Sequence, residues 1–325
     1  MSDVLCLRPQ ADFARVDALP PASLTVTYKA PDDAGVPALM RKARALVIPA
    51  VGQKLAPALF EATALKLVQV TGAGLDRLDK AALTKAGIPV ANVPGGSNSA
   101  LAEYTVACAS MLLRRLTSAD AELKAGNYAA FRAKLVAANL AGLDGLLIGV
   151  VGLGVIGVAV AQAFVRAGCR VCFFDPAPAD PAAAQAIGAQ PMPLDELLRS
   201  ADVVTLHVPL LPATKGLIGA AQLAAMKKGA VLIQASRGGI VDEAALADAL
   251  SSGHLGGAAV DVYSSEPPGP DNPLFSLGGE AAHRLLLTPH IAGVTRQSAG
   301  FLFRTAWKNV ERVLIENAAP LYRAY

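Results

Sequence analysis

The chain has 325 residues, 53% hydrophobic and 17% charged, which suits a core-rich globular protein of two ordinary domains. Its 29 basic and 26 acidic residues leave a net charge of +3 with no long like-charge run, so neither a nucleic-acid partner nor binding to an anionic membrane is expected. Four cysteines are too few for a disulfide framework, and Asp3 and Arg8 interrupt the short apolar start, unlike a signal peptide; a cytoplasmic protein is expected.

Along the first hundred residues short strands alternate with helices, the pattern of a parallel sheet with crossover helices. Residues 45–48 and 66–70 read as strands, 56–62 and 78–86 as helices, and 88–93 as a strand after the turn at Gly87. Residues 99–115 (SALAEYTVACASMLLRR) read as a long helix with Ser99 at its cap and basic residues in its last turn. Such a helix can cross between domains.

Residues 146–175 carry the most informative stretch, LLIGVVGLGVIGVAVAQAFVRAGCRVCFFD. Gly152, Gly154 and Gly157 form a GxGxxG straight after an apolar strand, a helix follows to Gly168, and a second strand ends on Asp175. Gly152 permits the tight turn, Gly154 lets backbone N–H groups approach a pyrophosphate, and Gly157 lets the helix pack closely on the sheet. Residues 145–165 hold no charge, but five glycines argue against a membrane span. Cys169 and Cys172 form a CxxC within one strand; three residues apart they face opposite ways, and no second Cys or His pair accompanies them, so buried thiols are expected and no metal.

The alternation then repeats. Strands are expected over 201–207, 230–234, 257–262 and 284–288, with helices over 220–226 and 243–251; six strands in all fit a doubly wound sheet. A closing helix over 295–317 carries Trp307, the single tryptophan, in a packing role.

Candidate reactive groups stand at the carboxyl ends of the late strands: Arg237 in QASRGGIVDE, Glu266 in DVYSSEPP and His290 in LLLTPHIAG. Ligands of open α/β sheets bind beyond those ends. A histidinium can protonate the alkoxide left by hydride delivery to a ketone, a carboxylate on its ring fixes the orientation, and a guanidinium clamps a substrate carboxylate at two points. Each has a structural alternative: Arg237 can pair with Asp242 or Glu243, Glu266 can be a solvated loop acid, and His290 can satisfy a carbonyl. As a set behind a dinucleotide fingerprint they suit reduction of a 2-oxo acid. His207, followed by Pro209, Leu210, Leu211 and Pro212, reads as a wall of the cofactor site; His254 and His283 read as exposed and inert.

The motifs VVGLGVIG, LHVPLLPATKGLI, MKKGAVLIQASRGGIVDEAAL, AAVDVYSSEP and LTPHIAG, in that order after TGAGLDRLD, resemble the D-isomer-specific 2-hydroxyacid dehydrogenases, NAD-dependent enzymes that include D-glycerate, D-lactate and D-3-phosphoglycerate dehydrogenases. The resemblance implies an α/β protein of two Rossmann-like or flavodoxin-like domains with doubly wound parallel sheets. The substrate-binding domain would be discontinuous, 1–98 and 293–325, around an NAD-binding domain at 99–292. It implies that Arg237 binds substrate, Glu266 supports the histidine and His290 is the acid/base. Gly72, Ala73 and Gly74 would offer N–H groups to the substrate carboxylate, and Asp261 would meet the nicotinamide carboxamide. Val155, Ile156, Pro209, Thr214, Ala235, Ser236 and Gly293 would line the cofactor, together with Arg237 and His290. A homodimer is implied as well.

Two departures stand out. Gln234 takes the place of an asparagine common in relatives, a change expected to touch cofactor-facing detail, and 49–54 (PAVGQK) lacks the arginine that phosphoglycerate-directed relatives often place there. An unphosphorylated substrate is expected, and no appended regulatory domain. A 2′-phosphate would face Asp175 without an arginine to offset the repulsion, so NAD is expected over NADP. The alternative reading is an NAD(H)-sensing protein-binding module like the C-terminal-binding corepressors, which share this scaffold.

Overall fold

The protein, described by a computed structural model over residues 3–178 and 180–325, divides into two compact units. They are Met1–Ser97 with Val294–Tyr325, and Asn98–Gly293.

In the first unit β1 (Val4–Cys6), β2 (Val26–Tyr28), β3 (Ala45–Ile48), β4 (Leu67–Val70) and β5 (Val90–Ala91) form one parallel sheet in the order β2-β1-β3-β4-β5. The runs ALVI and LVQV are buried along their whole length, as strands covered on both faces require. Gln69 is the polar exception in β4. Asn309 donates its side-chain amide to Gln69 Oε1 at 2.9 Å, and Gln69 Nε2 donates to the Val70 carbonyl at 2.7 Å, so the buried pair is satisfied. This ties β4 to the last helix, Arg296–Leu314. Trp307 on that helix is 2% exposed and packs on Phe13 with ring centroids 5.1 Å apart. Residues 56–62, expected to be helical, hold only a 3-10 turn at Pro57–Phe60, and the strand expected over 88–93 shortens to two residues.

Among the described residues the second unit holds seven parallel strands rather than six: β6 (Leu147–Val151), β7 (Arg170–Phe174), β8 (Gln190–Pro191), β9 (Val203–Leu206), β10 (Val231–Gln234), β11 (Gly257–Val260) and β12 (Leu285–Leu287). Their order, β12-β11-β10-β9-β6-β7-β8, reverses direction between β6 and β9, the switch point at which such sheets bind ligands. Side chains alternate between two cores: Val204, Leu206, Leu232 and Val260 face one, Val150, Val203, Ile233 and Ala259 the other. Cys172 and Cys169 fall in different cores, both free and buried. Burial pushes the Cys172 thiol up to about 11.

The helix Asn98–Leu113 begins one residue before the expected cap, and the Ser99 hydroxyl bonds Glu103 rather than a backbone amide. Arg114 and Arg115 lie beyond its end, where Arg115 has φ 51° and starts the helix Leu116–Lys124. A further helix, Tyr128–Ala137, buries none of its residues. Among the described residues no helix is long and apolar enough to cross a membrane; residues 145–165 split into β6, the glycine turn and the helix Val155–Arg166.

Candidate functional site

The three glycines of the turn after β6 answer to different constraints. Gly152 has φ +93°, and a Cβ there would stand 2.8 Å from the His207 carbonyl; at Gly157 a Cβ would stand 2.1 Å from the Gly152 oxygen. The fold alone demands both. At Gly154 a Cβ would meet no atom within 4 Å, yet the helix Val155–Arg166 starts there with no side-chain cap and no acid in its first turn. Open space in front of uncapped N–H groups fits a pyrophosphate. Val155 in that first turn is 57% exposed, while Ile156 packs on Leu101, Ala235 and Ala292.

Asp175 follows β7 and is tied back to the turn: its Oδ2 accepts from Leu153 N–H at 2.7 Å and its Oδ1 from Ala177 N–H at 2.9 Å. At the end of β9 the His207 ring shares a 2.8 Å hydrogen bond with the Thr205 hydroxyl, and desolvation pushes the imidazole down to about 4, so it stays neutral near pH 7. Thr214 closes the next turn on itself, donating to the Pro209 carbonyl at 2.5 Å and accepting from Leu211 N–H at 2.8 Å.

The loops after β10, β11 and β12 are knitted together. Gln234 is 2% exposed and turned inward, its amide donating to the Arg237 carbonyl at 2.8 Å and its oxygen accepting from the Ser236 hydroxyl at 2.8 Å. It clamps the Ser-Arg-Gly turn instead of facing outward. Ala235 and Ser236 are both buried, and Arg237 Nη1 donates to the Ser236 carbonyl at 2.7 Å. A Cβ on Gly238 would fall 1.8 Å from the Tyr263 oxygen, so this loop packs backbone to backbone on the one leading to Glu266. Asp242 caps the helix Glu243–Ser251, and Glu243 accepts from Ser264 and Asn272.

Glu266 Oε2 lies 2.8 Å from His290 Nδ1, with the two side chains 27% and 26% exposed, open enough to meet a ligand. Its other oxygen accepts from Tyr263 N–H at 3.1 Å, which fixes the carboxylate. A proton on Nδ1 in that contact leaves Nε2 as the ring nitrogen not held by Glu266. His290 itself has φ +55°, a left-handed conformation that costs a β-carbon residue about 1–3 kcal/mol. Asp261 offsets it. The Asp261 carbonyl accepts from His290 N–H at 2.8 Å, and its carboxylate, 1% exposed, accepts from Ile291 and Ala292 N–H at 2.8 and 2.9 Å. Hydrogen bonds to a charged acceptor contribute about 1.5–3 kcal/mol each, enough to hold the turn. With the Thr288 hydroxyl also on Oδ1 at 2.6 Å, about one of the four lone-pair sites is left for a ligand such as a carboxamide. Gly293, half-buried, ends this segment.

In the first unit, Gly72 sits so close to the loop after β3 that a Cβ would meet Ala50 Cβ at 2.8 Å. The Gly72 carbonyl accepts from Val93 N–H at 2.9 Å and the Ala73 carbonyl from the Asn92 amide at 2.8 Å. In trans peptides the next N–H points opposite each carbonyl, so those of Ala73 and Gly74 face away from β5. Paired N–H groups of this kind suit an anion. Arg77, 4% exposed, donates to the Pro49 and Gln53 carbonyls at 3.0 and 2.9 Å and holds the neighbouring loop.

His254, read as exposed, is half-buried with its ring on the Met226 carbonyl at 2.9 Å; His283 is exposed. Arg77, Tyr104 and Thr288 were not singled out by residue pattern. Thr288 stands two residues before His290, the one local signal. Among the described residues no group of three or more His, Cys, Asp or Glu side chains could hold a metal.

Residues 106–292 match the family model described as D-isomer specific 2-hydroxyacid dehydrogenase, NAD binding domain. A D-3-phosphoglycerate dehydrogenase of Archaeoglobus fulgidus is 39% identical over 79% of this chain and 47% of its own length. The chain thus spans about half the length of such D-3-phosphoglycerate dehydrogenase relatives. Among solved structures, the TT0316 protein of Thermus thermophilus is 31% identical, with 99% of each chain covered and a TM-score of 0.85. The pyruvate reductase of Chlamydomonas reinhardtii is 30% identical, with 98% of this chain and 97% of that one covered and a TM-score of 0.77.

Proposed function

We propose, since this chain belongs to the D-isomer specific 2-hydroxyacid dehydrogenase family and residues 106–292 form its NAD-binding domain, that it interconverts a small unphosphorylated 2-oxo acid and its D-2-hydroxy acid. The observation that carries this reading is the 2.8 Å contact between His290 Nδ1 and Glu266 Oε2. A ring held at one nitrogen presents the other as a proton donor of fixed direction.

NADH, when bound, would supply the hydride. Gly154, Val155 and Ile156, in the turn that Gly152 and Gly157 allow, would take the pyrophosphate, and Asp175 would take the ribose and disfavour a 2′-phosphate. His207, Pro209, Thr214, Ala235, Ser236, Asp261 and Gly293 line the rest of the cofactor. Arg237 would clamp the substrate carboxylate and polarise its carbonyl, and the N–H groups of residues 72–74, within their own unit, suit an anion such as a carboxylate. His290 Nε2 gives its proton to the carbonyl oxygen as negative charge develops there, and Glu266 keeps the ring in place. In the reverse direction His290 takes the proton from the hydroxyl.

Against a phosphorylated substrate stands the loop at 49–54. The guanidinium that reaches it, Arg77, is nearly buried and directed at backbone carbonyls. A homodimer fits the exposed apolar side chains of Leu116, Leu123, Tyr128 and Val136. Four free, buried thiols suit the reducing cytoplasm.

The test is NADH oxidation followed by absorbance with glyoxylate, hydroxypyruvate, pyruvate, bulkier 2-oxo acids and 3-phosphohydroxypyruvate. Turnover is expected on one of the unphosphorylated acids. Tight NADH binding with no turnover on any substrate would sink the enzyme reading, and preference for the phosphorylated acid would sink the substrate class.

A further inference from the structure

We infer that Tyr104, Thr288 and Asp261 form a partly buried positioning brace that sets the aim of His290, an inference that rests on the proposed role of that histidine. The chain of contacts is continuous within the second unit. The Tyr104 hydroxyl lies 2.7 Å from Thr288 Oγ1, which lies 2.6 Å from Asp261 Oδ1. A threonine hydroxyl has one proton to donate, and that of Thr288 goes to Asp261 Oδ1. Tyr104 must therefore be the donor to Thr288. Burial also keeps the tyrosine protonated.

From the far end, Asp261 holds three consecutive backbone amides, those of His290, Ile291 and Ala292, through its carbonyl and its two carboxylate oxygens. The Thr288 carbonyl is pinned in turn by the Tyr263 hydroxyl at 2.9 Å. His290 thus sits between two anchors of different kind. Glu266 holds its ring, and the brace holds its backbone in the left-handed conformation that points the ring at Glu266. A carboxylate that only met a cofactor would have no need of a tyrosine–threonine chain behind it. Tyr104 is on the helix Asn98–Leu113, and its side chain packs on Leu101, Ala235 and Ala292. The orientation of the histidine is therefore registered against that helix as well as against its own strand.

Asp261→Asn risks the fold, so the decisive variants are Thr288→Val, which keeps shape and removes both hydrogen bonds, and Tyr104→Phe. Thr288→Val is expected to lower kcat about 30-fold, with the NADH Kd unchanged within about twofold and the substrate KM within about threefold, since a misaimed proton donor costs rate rather than binding. Tyr104→Phe is expected to cost about fivefold, and Thr288→Ser to restore kcat to within about threefold of wild type. A second readout does not need activity. The chain has four histidines, and the Hε1 resonance of His290, identified by its loss in His290→Ala, is expected to shift in Thr288→Val while the other three stay in place.

A folded Thr288→Val protein with wild-type kcat and an unmoved His290 resonance would overturn the brace. So would a raised NADH Kd with kcat intact, which would make the pair a cofactor contact alone. If the wild-type protein turns over no 2-oxo acid, the functional reading falls, and the resonance alone then decides the brace.

Discussion

The two parallel sheets present their carboxyl ends in different ways. After β10, β11 and β12 side chains make the decisive contacts: Gln234 on the turn of Arg237, Glu266 on His290, the Asp261 carboxylate on two amides. After β3 and β4 the backbone does the work. Val93 N–H and the Asn92 amide fix the carbonyls of Gly72 and Ala73, and even the arginine there, Arg77, serves two backbone carbonyls. A region built from side chains fails when a functional group is lost. One built from peptide groups fails when a Cβ is added.

His290→Ala tests the first half of that contrast with the largest effect expected. Removing a general acid costs about 10³-fold in kcat, with NADH binding, read by fluorescence, unchanged. A loss of less than tenfold would show that the ring does not carry the proton. The second half predicts an asymmetry between neighbours. Gly72→Ala drives a Cβ against Ala50 and is expected to raise the substrate KM about tenfold, whereas Ala73→Ser, at an exposed position, should change it by less than about twofold. Equal effects at the two sites would break the distinction. The smallest effect is expected at Asp175, where Ala should narrow the preference for NADH over NADPH about fivefold in kcat/KM. Faster wild-type turnover with NADPH would remove the charge argument altogether.

How far sequence reaches follows the same division. Strands such as β9 and β10 are buried along their whole length and mostly apolar because both faces are covered, and the helix Glu243–Ser251 announces its start through the capping Asp242, so these were legible to within two or three residues. β8 was not: Gln190 and Pro191 are both exposed, and two residues at a sheet edge leave no periodicity. The helices Leu116–Lys124 and Tyr128–Ala137 bury almost nothing, so they carry no apolar stripe facing this chain's own core. Within the site, residue type pointed to Arg237, Glu266 and His290, because few side chains can do acid–base or carboxylate chemistry. The link from Tyr104 to Thr288 spans 184 positions, and only the fold brings the two hydroxyls together.

The first unit is completed by residues that follow the second in sequence. Val90 N–H is bound by the Tyr325 carbonyl, Ala324 N–H by the Val90 carbonyl, and Gln69 by Asn309. On the ribosome, residues 98–293 are available to fold as a contiguous segment, while β1 to β5 wait with their sheet edge and apolar surface uncovered until 294–325 emerge. Unit 98–293 can therefore be finished before the unit that surrounds it in sequence, and residues 1–97 stay open to chaperones and to aggregation until 294–325 have followed.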